Sequence, residues 1–139
     1  MKPISIREAA DAAGGRILRQ GQKLEISGVS TDSRTIKPGD LFAALEGEKY
    51  DGHDFLADAA QKGAAALLIS NTDKPLPENV GIIVVDDTLT ALQDLAAWYL
   101  KKFSADVVAI TGSTGKTTTK DMIASVLSRK FNVLKTQGN

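Results

Sequence analysis

Residues 107–123 read VVAITGSTGKTTTKDMI, an apolar run broken by two nearby glycines, a lysine and three threonines before a helical pattern resumes. A loop that wraps phosphate must turn sharply and bring several backbone N–H groups to oxygen with no Cβ in the way, which Gly112 and Gly115 permit. Lys116 then sets an ammonium against the β and γ phosphates of ATP, and the hydroxyl of Thr117 or Thr118 can ligate Mg²⁺. The helix that follows aims its N-terminal dipole at the same charge. Ser113 and Thr114 lie between the glycines and complete a cofactor-binding segment running from Gly112 to Thr118. The usual pattern is GxxxxGK[ST]; Ile110 stands at its first glycine, so the match is to the shorter TGSTGKTT. A plain glycine-rich turn is the competing reading, and the strand–loop–helix context favours phosphate.

The loop lies so near Asn139 that most of a nucleotide-binding domain built on it is expected to lie beyond the chain, which therefore reads as a fragment. Lys plus Arg and Asp plus Glu balance at 17 each, so no positive excess advertises a nucleic acid or an anionic membrane. Cysteine is absent, which excludes disulfides and thiolate metal sites. The apolar runs are short and the N-terminus MKPISIREAADAAGG carries charges where a signal peptide needs its apolar core, so a soluble cytoplasmic protein without membrane insertion is expected.

Local signals predict an α/β fold. Ser5 and Glu8 stand at capping-box spacing and Gly14 and Gly15 offer a helix stop, giving a helix over about 5–13. RILR, KLEI and GVSTDSR read as small antiparallel strands, and IKPGDLFAAL as a turn followed by a buried strand near 41–45. HDFLADAAQKG reads as a helix ended by Gly63, AAALLIS and GIIVVD as strands suited to parallel pairing, and TLTALQDLAAWYLKKF as a helix capped by Asp87 or Thr88. Leu89, Leu92, Leu95, Ala96 and Tyr99 share one face of that helix and are expected in the core, as is Trp98. SADVVAI, the glycine loop, a helix over about 116–130 and the strand NVLKT then follow as an interrupted βαβ unit. The expected organisation is a small mixed-sheet domain over 1–104 and the start of a P-loop ATPase domain, with parallel βαβ order, over 105–139.

AITGSTGKTTTKDMI resembles the ATP loop of the Mur ligases, the ATP-dependent amide-forming enzymes of peptidoglycan synthesis. The segment VSTDSRTIKPGDLFAALEGEKYDGHDF is similar to the N-terminal domain of the two ligases acting late in that pathway, and KTQGN resembles the start of a segment further along. GSTGKTTTKD and GEKYDGHDF look most like the member that adds D-alanyl-D-alanine to UDP-N-acetylmuramoyl-tripeptide. The member that extends the dipeptide nucleotide by one amino acid is the runner-up, and folylpolyglutamate synthetase a poorer third. A non-catalytic UDP-sugar or nucleotide-binding module is the reading from a different class. The resemblance implies a UDP-holding first domain, a central ATPase domain and a third domain that helps bind the dipeptide. It also implies an acidic magnesium ligand and a carbamylated lysine later in the central domain.

Residue by residue, the resemblance places STDSR against the uridine diphosphate moiety. Ser30, Thr31 and Ser33 offer hydroxyls, Asp32 an acceptor and Arg34 a planar fork suited to phosphate. The same residues alone also suit a local Asp-Ser turn with Arg34 paired to a surface carboxylate. Lys49 is a weaker substrate-contact candidate, and Asn139 begins a cleft-lining segment by resemblance. By the same resemblance Lys116 is the catalytic charge and Thr117 the first Mg²⁺ ligand. His53, the one histidine, sits beside the Asp51-Gly52 turn and is expected to be a satisfied polar residue without catalytic role.

Overall fold

The structure, a computed structural model, describes residues 1–136. It divides into two compact units, the first Met1–Phe103 and the second beginning at Ser104. The expectation at Asn139 lies outside the described residues.

In the first unit, β1 (Ile4–Ser5) leads directly into α1 (Ile6–Ala12). Ser5 caps the helix by accepting the N–H of Glu8, while the Glu8 carboxylate accepts the N–H of Ser5, the reciprocal box foreseen from their spacing. At the other end Gly14 takes φ 62°, and the N–H groups of Gly14 and Gly15 close onto the carbonyls of Asp11 and Ala10.

Then come β2 (Arg16–Arg19), β3 (Glu25–Ile26), β4 (Gly28–Ser30) and β5 (Asp40–Ala43), a 3₁₀ turn (Gly52–Phe55) and α2 (Leu56–Gln61). β6 (Ala66–Ile69), β7 (Gly81–Val84) and α3 (Thr88–Lys101) complete the unit. β1 pairs with β3 in a small antiparallel sheet, and the main sheet runs in the order β2-β7-β6-β5-β4. Its strands β4, β5, β6 and β7 are mutually parallel and β2 is antiparallel at the edge, so the sheet is mixed.

One pairing corrects the sequence reading. GVS was expected to be antiparallel, but β4 lies parallel to β5 with Val29 beside Leu41. Residues 31–39 carry the chain from the end of β4 back to the start of β5 instead of folding as a hairpin. The Lys37–Asp40 turn that completes this return needs Gly39 at φ 97°.

Side-chain alternation along the parallel strands builds a core on each face. Leu41, Ala43, Ala66, Leu68 and Ile83 face Ile6, Ala9 and Ala10 of α1 and Ala91 and Leu95 of α3. Phe42, Leu67, Ile69 and Ile82 face Leu56 and Ala59 of α2. Each fully buried aliphatic chain here contributes about 1.5–3 kcal/mol relative to exposure.

α3 starts at Asp87, whose Oδ1 accepts the N–H of Thr90 at 2.7 Å. Its buried stripe is Thr88, Ala91 and Leu95, with Leu92, Trp98 and Tyr99 packed alongside. Leu89 and Ala96 are exposed, contrary to expectation. Thr88, Ala91, Leu95 and Trp98 recur at helical spacing as the expected set does, and small Ala91 lies in the same core cluster as Ala9 and Ala10 of α1.

In the second unit α4 (Lys116–Leu127) follows the glycine loop. The strands expected at 104–110 and 132–136 form no ladder among the described residues. A strand exists through its partner, and neither segment has one there. The helix also stops short of Lys130: Ser128 caps it, and its Oγ donates to the carbonyl of Ala124 at 2.6 Å. Lys135 Nζ lies 2.8 Å from Asp121 Oδ1, tying the segment after α4 back to it.

Candidate functional site

The two segments with chemistry belong to different units. In the first unit, the loops following β4, β5 and β6 all leave the carboxyl ends of parallel neighbours, the edge at which open α/β sheets receive ligands. Ser30 ends β4 and Thr31–Arg34 open the first of these loops, while Lys49 belongs to the second and Ser70–Asp73 to the third.

The first loop is folded by its own polar groups. Ser30 Oγ donates to the carbonyl of Asp32 at 2.9 Å and lies 3.2 Å from Thr35 Oγ1. Asp32 Oδ1 accepts the backbone N–H of Arg34 at 2.9 Å, and the Arg34 fork closes on the same carboxylate, Nε to Oδ1 at 2.9 Å and Nη2 to Oδ2 at 2.7 Å. The side chain of Arg34 is 84% exposed, so this pair stands in solvent with its Nη1 donors outside the fork. The guanidinium and the Arg34 N–H hold the Asp32 carboxyl down at about 2. Asp32 in turn raises Arg34 above its ordinary value.

Ser33 lies the other way. It is 6% exposed, its carbonyl accepts from Lys62 Nζ at 2.8 Å, and its side chain holds the Asp58 carboxyl of α2 below the usual range. Ser33 is buried, whereas Thr31 and Arg34 face solvent. Asp58 and Lys62 were not singled out from the sequence. Their i,i+4 spacing was visible there, but a partner 29 positions away was not.

The second loop carries Lys49 exposed and His53 buried. His53 Nε2 accepts the N–H of Ser70 at 3.0 Å and that of Asn71 at 3.3 Å. The ring proton therefore sits on Nδ1 and is donated to Asp51 Oδ1 at 2.7 Å. Although Glu46, Asp51 and His53 bring ligand atoms within 4.8 Å of one another, both ring nitrogens are engaged, and the cluster is a structural clamp.

In the second unit, Gly112 and Gly115 take φ 146° and 76°, conformations that L side chains rarely adopt. Gly115 is the N-cap of α4 and supplies no side-chain acceptor, leaving the first-turn N–H groups without a side-chain cap. Ser113, Thr114, Gly115, Lys116, Thr117 and Thr118 line a hollow of about 210 Å³ at that helix end. Lys116 folds back so that Nζ donates to the carbonyl of Gly112 at 2.5 Å, bringing its charge over the hollow's rim. Backbone donors, a helix N-terminus and an ammonium suit phosphate, and the hydroxyls of Thr117 and Thr118 suit a hard cation beside it.

No helix among the described residues is long and apolar enough to cross a membrane.

The family profile described as Mur ligase family, catalytic domain, matches residues 25–99, and that of the Mur ligase middle domain matches 110–139. The protein from Bacillus subtilis named UDP-N-acetylmuramoyl-tripeptide--D-alanyl-D-alanine ligase is 44% identical over 136 residues, covering 97% of this chain and 30% of the relative. The Escherichia coli protein of the same name is 42% identical and covers 100% of this chain and 30% of the relative. Among solved structures, MurF from Acinetobacter baumannii superposes with a TM-score of 0.88 at 36% identity, covering 100% of this chain and 30% of that one. MurF from Thermotoga maritima in complex with ADP gives 0.71 at 37% identity, over 80% of this chain and 25% of that one. The chain thus spans about 30% of the length of the curated relatives it matches.

Proposed function

Because the chain belongs to the Mur ligase family, we propose that it is the UDP-substrate domain and the beginning of the ATP-binding domain of a cytoplasmic ligase. That ligase joins D-alanyl-D-alanine to UDP-N-acetylmuramoyl-tripeptide at the expense of ATP. The observation that carries this reading is the phosphate loop of Gly112–Thr118 opening α4, in a chain whose relatives along nearly its whole length bear that ligase's name. The extension of a dipeptide nucleotide by one amino acid, the runner-up from sequence, is not the activity in the names of the relatives described above.

The reaction needs a leaving group on a carboxylate. The terminal carboxylate oxygen of the tripeptide attacks the γ-phosphorus of ATP, the bond to ADP breaks, and an acyl phosphate results. The amine of D-alanyl-D-alanine then adds to the acyl carbon, loses a proton, and expels phosphate to leave an amide. In this chain the backbone N–H groups of 112–118 hold the ATP phosphates, and Lys116 stabilises charge spreading over the transferring group. Thr117 is the residue here that would hold Mg²⁺, which when bound neutralises phosphate charge and aligns its oxygens. Thr31 and Arg34 meet the uridine diphosphate, with Asp32 orienting the Arg34 fork and Ser30 shaping the turn. Lys49, on the neighbouring exposed loop, is a further contact. The remaining groups that the family needs lie outside this chain, so the chain alone gives no turnover.

Calorimetric titration with UDP-N-acetylmuramoyl-tripeptide tests the first site. Wild-type chain binds, and Arg34→Ala weakens binding about tenfold or more, as loss of a charge-assisted phosphate contact requires. Equal affinity in the variant returns residues 30–34 to a structural role.

A further inference from the structure

Resting on the uridine diphosphate site proposed above, we infer that Lys62 and Asp58 of α2 are positioning residues that hold the loop of residues 30–34 in its binding shape. Three observations converge. Lys62 Nζ donates at once to the Ser33 carbonyl at 2.8 Å and to Asp58 Oδ2 at 3.0 Å. The Ser33 side chain also holds the Asp58 carboxyl below its usual range, so the loop residue bears on the same helix end that grips its carbonyl. Ser33 is buried while its neighbours Thr31 and Arg34 are exposed, so this residue is the loop's point of attachment to the body of the unit.

The helix is itself fixed at this end. Lys62 is its C-cap and Gly63 turns away at φ 88°, with the Gly63 carbonyl accepting the N–H of Gly39 at 2.9 Å and Lys23 Nζ at 3.0 Å. The Lys62 anchor is therefore tied to the turn that brings the chain back from the loop into β5. Lys62 also acts electrostatically on Asp32, the carboxylate that orients Arg34. Its charge bears on the part of the loop that meets ligand without itself having to touch the nucleotide.

The test is calorimetric titration of the whole chain with UDP-N-acetylmuramoyl-tripeptide, with thermal unfolding measured on each variant. Lys62→Met is expected to weaken binding about tenfold through misplacement of the loop, and Lys62→Arg, which retains donors of similar reach, to restore most of the affinity. Both variants should unfold within about 3 °C of wild type, because exposed ion pairs contribute little to stability. Ser33→Ala should weaken binding in the same direction. Affinity intact in Lys62→Met but lost in Ser33→Ala overturns the inference and makes the Ser33 hydroxyl a direct contact. Affinity intact in both, or lost without rescue by Arg, also overturns it. Failure of the wild-type chain to bind overturns the underlying site as well, which separates that outcome from the others.

Discussion

His53 donates its Nδ1 proton to Asp51 at 2.7 Å from inside the protein, where it is 2% exposed, and this leaves Nε2 as the acceptor that joins the loop after β5 to the end of β6. That nitrogen takes the N–H groups of Ser70 and Asn71, which no other described contact satisfies as well. Removing the ring leaves two amides without their acceptor beside a cavity, while Asp51 Oδ1 keeps the backbone N–H of residue 53. His53→Ala is expected to destabilise the first unit by about 2–4 kcal/mol, read as a shift in the urea midpoint with unchanged slope. A loss below about 1 kcal/mol would show that water replaces the ring without penalty.

Gly52, beside it, is constrained by space and not by dihedral. A Cβ there would stand 2.7 Å from the N of Leu45 and 2.8 Å from the Cα of Ala44, both backbone atoms that cannot swing aside. Its own N–H donates to the carbonyl of Leu45 at 2.8 Å, so the close approach is part of the turn. Gly52→Ala should cost about 1–3 kcal/mol or more in thermal or denaturant unfolding. By contrast Gly47→Ala, whose nearest contact would be 3.3 Å, should be far milder.

The pH dependence of stability has a definite sign. Lys102, then the N–H and hydroxyl of Ser5, lower the Glu8 carboxyl from 4.5 to about 2, and Arg34 lowers Asp32 from 3.8 to about 2. A carboxyl depressed in the folded state adds stability that is complete above its unfolded pKa and disappears as pH falls through the folded value. Both contributions are thus present at neutral pH and lost between about pH 4.5 and 2. Glu8→Gln, which keeps an acceptor for the Ser5 N–H but no charge, should flatten the acid limb of a melting-temperature profile. Added salt should shrink the difference, since the pairs stand in solvent.

What was legible in the sequence was mostly what is local. The Ser5–Glu8 box, the Asp87 cap and the stops at Gly14 and Gly63 depend on residues within a few positions of one another, and each stands where its spacing put it. The mixed α/β class followed from the same signals together with strand alternation. The parallel setting of β4 was not legible, because GVS carries no mark of which strand it will lie against and residues 31–39 contain no helix to announce a crossover. The packed face of α3 was misjudged at Leu89 and Ala96 because two overlapping stripes satisfy helical spacing, and only α1 selects between them. At the candidate site, the side chains of TDSR were legible as types but not as directions. Ser33 turns inward through Asp58 and Lys62, and that contact joins segments too distant in sequence for any pattern to show.

The glycine loop offers the sharpest test of the second unit. Gly115 holds φ 76° at the N-cap of α4, where a Cβ would meet nothing within 4 Å, so substitution there strains the backbone without filling the hollow. Lys116 has its charge already bent to the loop, 2.5 Å from the Gly112 carbonyl. In the full-length ligase, Gly115→Ala should weaken ATP by distorting the N–H cradle, a change of about 1–2 kcal/mol set by the cost of a left-handed alanine. Lys116→Ala should instead remove roughly 3 kcal/mol or more of transition-state stabilisation, seen as a fall in kcat larger than any rise in KM for ATP. Phosphate release measured over a range of ATP concentrations distinguishes the two. Near-normal turnover in Lys116→Ala would leave the loop a phosphate grip and return the catalytic charge to residues beyond this chain.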